Sequence, residues 1–209
     1  MTVDQTAAFA AFAFVMAATP GPSNTLLTAT AAQVGIVRGI PALLGVALGM
    51  ALLIFAVSVG LGAVLTSVPA ILVVLRVAGA AFLLWLALHI ATSDTMATSS
   101  PNPSVRSVGL RAAAAFQWIN PKSWLAAASA AAFLTPTATA TSTNASTSTI
   151  PQSLTLAAIF AGVALPSCFA WLAFGAALHR LLRGPKAQRT FNLAMSTLLA
   201  LSAVALLLT

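Results

Sequence analysis

Ala18-Thr19-Pro20-Gly21-Pro22-Ser23-Asn24 lies inside the first apolar stretch of this chain, and Asn120-Pro121-Lys122 lies inside the fourth. A proline withdraws one backbone donor and frees the carbonyl four residues earlier, so Pro20 frees that of Met16 and Pro22 that of Ala18. Each also biases its predecessor, Thr19 or Gly21, away from helical geometry, and Gly21 tolerates nearly any backbone angle. A single proline kinks a helix; Pro-Gly-Pro predicts an interruption. Polar backbone is not left facing lipid, so such breaks line a cavity or pack against protein. Paired breaks in matching places of two halves point to the central site of a transporter. The plainer alternative is a kinked helix whose Ser23, Asn24, Thr25 and Thr28 bond its neighbours.

Composition places these breaks in a membrane. Of 209 residues, 60% are hydrophobic and 5% charged, with a mean hydropathy of +1.01. Soluble domains carry about 25% charged residues, which excludes an aqueous fold. At roughly 20 residues per span the length accommodates about six helices and no extramembrane domain. The net charge of +7 does not indicate nucleic-acid binding, because the basic residues flank apolar spans and form no groove-sized cluster. Cys168 is the only cysteine, which excludes an internal disulfide or thiolate cage and suits a small apolar filler. Asp4 stands where a signal peptide carries basic residues, so the first apolar stretch is expected to stay in the mature protein.

Six apolar stretches stand out, at about 6–28, 40–64, 69–91, 109–134, 152–178 and 189–208. The joints run from Thr28 to Gly39, Gly62 to Pro69, Thr92 to Arg106, and Thr135 to Pro151, with a basic joint from Arg180 to Arg189. The Ser/Thr-rich segment from Thr135 to Pro151 cannot bury apolar surface and reads as a mobile loop. Arg38, then Arg106 and Arg111, then Arg180, Arg183, Lys186 and Arg189 mark the first, third and fifth joints. The positive-inside rule puts these joints in the cytoplasm and both termini outside. Three helices per half is an odd number, so halves at about 1–92 and 105–209 would run in opposite directions within one transmembrane domain. Helices 1 and 4 would then break near mid-depth as an inverted repeat requires.

Asn is a favoured N-cap and proline a favoured first helical residue, so Asn120-Pro121 predicts a helix start within the membrane. Residues 121–134 would span about 21 Å, short of the roughly 30 Å hydrocarbon core. The half-helix presents free N–H groups and a positive dipole end, and Lys122 adds a full charge there. The expected compensation is an anion, with a substrate carboxylate the natural candidate; the alternative is that Lys122 snorkels to headgroups. Gln117, Asn120 and Trp124 share one helical face by spacing, giving a polar stripe with an aromatic wall. Arg76, some seven residues into helix 3, reads as snorkelling outward, the alternative being a partner inside the bundle.

Ala42, Gly45, Gly49, Ala56 and Gly60 fall within about a 60° arc, with Leu53 intruding. A small-residue stripe lets another helix approach closely and suits internal packing or a homodimer; Gly39 is expected to shape the cytoplasmic turn. Asp4 and Asp94 are the only acidic residues and both lie outside the expected spans, while His89 and His179 sit at span ends. With no carboxylate in a span to relay a proton or hold a metal, metal export is disfavoured, and no cofactor is implied. Lys122 is the one in-span group, besides an arginine that would not deprotonate, able to exchange a proton.

Ala18–Pro22 followed by Gly35, Gly39, Gly45 and Gly49, then Arg76–Trp85 and Phe116–Lys122, resembles the LysE/RhtB-type amino-acid exporters over nearly the whole chain. The resemblance implies six helices and proton-driven efflux of amino acids or close derivatives across the bacterial inner membrane. It also implies site-shaping roles for the Pro20-Gly21-Pro22 and Asn120-Pro121-Lys122 positions. The Ser/Thr run after helix 4 departs from the family pattern, where a proline-containing segment is usual.

The sequence thus predicts an all-α membrane protein with a substrate site at Pro20, Gly21, Pro22, Ser23, Asn24, Gln117, Asn120, Pro121, Lys122 and Trp124. Lys122 and the helix start at Pro121 would hold the carboxylate, and the Gly21–Asn24 segment would receive the amino group. Without in-span carboxylates, neutral amino acids are favoured over lysine or arginine as substrates. One rival is a structural or pore-forming subunit. The other is a membrane enzyme, for which the chain lacks a nucleophile–base set.

Overall fold

The computed structural model describes residues 1–61, 69–92, 108–134, 145–181 and 185–208. Its described residues are helical throughout: α1 (Val3–Ala18), α2 (Pro22–Ala56) continuing into a π-turn (Val57–Leu61), α3 (Pro69–Thr92), α4 (Leu110–Ile119), α5 (Pro121–Ala131), α6 (Ala145–Leu181) and α7 (Pro185–Leu208). Two stretches among these residues, Pro22–Leu61 and Thr149–Leu178, are long and apolar enough to cross a membrane.

Local chemistry sets the ends of the short helices. A reciprocal cap opens α1, with the Gln5 N–H on Thr2 Oγ1 at 3.2 Å and the Thr2 N–H on Gln5 Oε1 at 2.9 Å. The helix stops at Thr19, which is extended at φ −62°, ψ 129°, because Pro20 excludes the helical region for its predecessor. Asn120 does the same before Pro121, at φ −84°, ψ 112°. It also caps α5, its side-chain oxygen accepting from the Lys122 N–H at 3.2 Å.

The joint expected over Thr28–Gly39 is far shorter than its composition suggests. Helix α2 runs through it, interrupted at Gly35 alone, where φ is +79° and ψ is 175°. Glycine reaches that angle without a Cβ clash, so one residue does the work of a loop. Gly39 is therefore inside the helix, where it lies against Leu172 and shapes no turn. The Ser/Thr segment is also more ordered at its end than expected, since α6 begins at Ala145. Pro151 holds a helix-compatible φ, and the Thr155 hydroxyl donates to its carbonyl at 2.8 Å. The remainder of that segment, the third joint and the Arg76 side chain lie outside the described residues.

The main core is built by α1, α2, α4, α5 and α6 around Phe9, Leu27, Leu53, Leu156, Phe160 and Leu172. Phe9 meets Phe133, just past the end of α5, edge-on at 5.1 Å. The small-residue stripe of α2 serves internal packing: a Cβ on Gly49 would stand 2.7 Å from Ala114 Cα, and one on Gly45 would strike the Leu110 carbonyl of α4. On α6, Gly175 lies against the backbone of Thr28, whose hydroxyl donates to the Trp171 carbonyl at 3.3 Å. Helices α3 and α7 form a smaller core of their own through Ala80, Leu83, Ala87, Leu199 and Ala203, and Phe82 ties α3 to Phe116 of α4 at 5.0 Å. The outer faces are apolar: Val73, Val77, Leu84, Leu193, Leu201 and Leu207 are all exposed. Apolar side chains on both sides of a helix suit lipid rather than water.

Candidate functional site

The end of α1 and the start of α5 come together at the two breaks. Helix α1 closes with carbonyls that no later turn can satisfy, and donors from three elements supply the need. The Asn24 amide of α2 donates to Ala17 O at 3.0 Å and Thr19 O at 2.8 Å. The Trp171 indole of α6 donates to Ala18 O at 3.3 Å, the carbonyl that Pro22 frees. From α5, the Lys122 ammonium donates to Thr19 O. The Met16 carbonyl, freed by Pro20, has no donor among the described residues.

An anion is what the sequence leads one to expect opposite the Lys122 charge. In the structure its hydrogen-bond partner is a carbonyl at the negative end of α1, which favours a cation as any helix C-terminus does. Gly21 makes room for this reach. Its backbone is fully extended at φ −178°, ψ −178°, an angle open to any residue. What glycine supplies here is space, because a Cβ would stand 2.9 Å from Lys122 Cδ and 3.2 Å from Nζ.

A second network joins the breaks on their polar side. Gln117 Oε1 accepts from Ser23 Oγ at 3.0 Å and from Ser123 Oγ at 2.8 Å, while its Nε2 donates to Ala113 O at 3.2 Å. The Asn120 amide donates to Ser23 Oγ at 3.0 Å. Gln117, Asn120 and Ser123 are all buried, so the network is sheltered from solvent competition and fixes the geometry of both breaks.

Between the breaks lies a partly open cavity of about 40 Å³, whose polar lining is Gly21, Ser23, Asn24, Gln117, Asn120, Lys122 and Ser123. A single water needs roughly 10–15 Å³, so the space is hydratable. The rest of the lining is apolar: Met16, Ala17, Val46, Met50, Ala126, Phe160, Ala164 and Cys168. Six of the ten residues expected at the site line this cavity. Pro20, Pro22 and Pro121 frame it by ending or starting helices, and they do not line it. Trp124 points elsewhere, its indole N–H on the Trp118 carbonyl at 2.7 Å and its ring edge-on to Trp118 at 6.0 Å. Its helical spacing with Gln117 and Asn120 was misleading, because the interruption at Asn120 resets the phase of the following helix.

Sequence reasoning missed Ser123, Trp171 and the apolar wall. Ser123 directly follows Lys122 at the break and was open to notice; Trp171 and Phe160 come from α6, and no local pattern marks them. Cys168, read as a small filler, is buried on the cavity wall.

The profile of the LysE type translocators matches residues 14–209, a span that contains both breaks and every cavity residue. The chain belongs to the LysE type translocator family. It is similar to the cysteine/O-acetylserine efflux protein of Salmonella typhimurium strain LT2, with 34% identity over 123 residues, 58% of this chain and 61% of that protein. The protein of that name from Escherichia coli strain K12 is 32% identical over an equal length, with the same coverage. The match thus spans less than two thirds of these curated relatives. No solved structure matches. Family membership and the apolar outer faces together make this chain a membrane protein, helical in its described residues.

Proposed function

We propose that this LysE-family chain is a secondary exporter of amino acids or close derivatives, working by alternating access around the cavity between the two breaks. The observation that carries this reading is the convergence there of a carbonyl-rich helix end, a capped helix start and one half-buried ammonium. An α-amino acid carries one group for each pole: an ammonium for the α1 carbonyls and a carboxylate for Lys122 and the first turn of α5. The names of the similar efflux proteins favour a small neutral zwitterion, and so does the lack of acidic residues other than Asp4 and Asp94.

The proposal includes six spans in two inverted halves of one domain, in the plasma (inner) membrane, with both termini outside. Three features support it. Each half carries one broken helix, α1 with the start of α2 in one and α4 with α5 in the other. The third members of the halves, α3 and α7, pack as a pair. Basic residues fall at alternate joints, as cytoplasmic loops require. Proton coupling is proposed from the family resemblance, with Lys122 as the in-span group able to exchange a proton.

Purified protein in liposomes tests the proposal. Saturable, pH-gradient-dependent movement of L-cysteine, O-acetylserine or another neutral amino acid is expected. A non-saturating leak, or no flux of any amino acid, rejects it in favour of a pore or structural subunit.

A further inference from the structure

We propose that the C-terminal end of α1 is an ammonium-binding site which Lys122 fills and surrenders when another ammonium arrives. Four observations meet there. The Lys122 ammonium, carried on α5, crosses to the Thr19 carbonyl across 103 residues of chain. Gly21 leaves the corridor for the lysine stem open, and a methyl group at that position would collide with it. The neighbouring Met16 carbonyl has no donor among the described residues, and Met16 lines the cavity. Asn24 holds the Ala17 and Thr19 carbonyls in place from a buried position, so the acceptors are set before any ligand binds.

An ammonium has three donors, and Lys122 spends one of them on Thr19 among the described residues. A free amine entering the cavity can take both Thr19 O and Met16 O. Once displaced, Lys122 swings from α1 into the cavity, where it can meet a carboxylate on the same ligand. Exchange therefore selects for a molecule carrying both groups. A simple amine would leave Lys122 without a partner in the membrane, which costs heavily, and an N-acylated amino acid cannot displace it at all. The contact is also a latch, because it joins the end of one half-helix to the start of another. This specificity rests on the export reading above; the ammonium site itself does not.

Cys168 supplies the readout, being the only cysteine in the chain and buried on the cavity wall. The rate at which N-ethylmaleimide alkylates it in the full-length protein in liposomes, taken per thiolate from its pH dependence because Lys122 also acts on the thiol electrostatically, reports how readily the cavity opens. Lys122→Ala is expected to react about tenfold faster than wild type, the factor for losing one charged hydrogen bond. Ethylammonium should slow the variant by occupying the vacated carbonyls and crowding the cavity that Cys168 lines, without remaking the link to α5. Tetraethylammonium, which has no N–H, should not. Gly21→Ala retains the charge but crowds the lysine stem, and should also react faster. An unchanged rate in Lys122→Ala, a fast rate that ethylammonium fails to slow, or equal slowing by tetraethylammonium overturns the site. In wild type, serine should alter the rate while N-acetylserine and ethylammonium do not. If ethylammonium rescues the variant but no amino acid affects wild type, the ammonium site stands and the export reading falls.

Discussion

Lys122 and Thr19 are joined by a hydrogen bond from the ammonium to the carbonyl, linking the first turn of α5 to the last residue of the α1 cap. The bond sets a positive side chain against the negative end of one helix beside the positive end of another. It also makes Lys122 the residue on which substrate movement should depend most. Lys122→Met preserves the stem and removes the donor, so saturable amino-acid flux in liposomes is expected to fall about tenfold or more. Flux equal to wild type would remove Lys122 from the transport cycle.

Asn24 should matter for folding as much as for transport. Its amide holds two carbonyls at the end of α1, and truncation strands that of buried Ala17 while Thr19 O keeps Lys122. Asn24→Ala is expected to lose about 1–3 kcal/mol, read as a lower midpoint of thermal unfolding in detergent. Asn24→Asp should be worse, because a carboxylate has no donor and faces the same carbonyls.

Ser23 and Gln117 hold the two breaks together across 94 residues of sequence at 3.0 Å. Gln117→Leu removes the acceptor shared by Ser23 and Ser123, and should destabilise more than Ser23→Ala. A double-mutant cycle on the pair is expected to return a coupling of about 0.5–3 kcal/mol. Additive losses would mean that the breaks are positioned by packing alone.

The glycines of the chain divide by what surrounds them, and substitutions should divide likewise. Gly49→Ala forces a methyl group to within 2.7 Å of the α4 backbone, and overpacking of this kind costs about 1–3 kcal/mol. Gly162→Ala, with nothing within 4 Å of the new methyl group, should gain up to about 1 kcal/mol of helix propensity. Comparison of the two melting midpoints checks both.

Ser153 is fully buried, and its hydroxyl has no hydrogen-bond partner among the described residues. Removing a stranded polar group spares its desolvation penalty. Ser153→Ala is therefore expected to match or exceed the thermal stability of the parent, and a clear loss would mean that a water or another partner satisfies it.

The breaks were legible in the sequence because proline acts on its own backbone: Thr19 and Asn120 are extended for reasons contained in the next residue. The stripe of Gly45 and Gly49 was legible as a close-packing surface for a similar reason, since removing side chains matters wherever helices touch. What Lys122 touches was not legible. It depends on how closely α1 approaches α5, which contacts between residues far apart in sequence such as Phe9 and Phe133 help to set. Trp124 failed in the opposite way, because its spacing held only for a continuous helix. The short joint at Gly35 was hidden by polar neighbours such as Gln33 and Arg38, which the helix carries on its exposed side.

That joint has a mechanical consequence. Residues 22–34 and 36–56 meet at a single positive-φ glycine, with no atom within 4 Å of where a Cβ would project. One arm carries Asn24 and the other Met50, both on the cavity lining. Bending at Gly35 would let these two parts of the lining rock against each other about one pivot, and any side chain there would stiffen it.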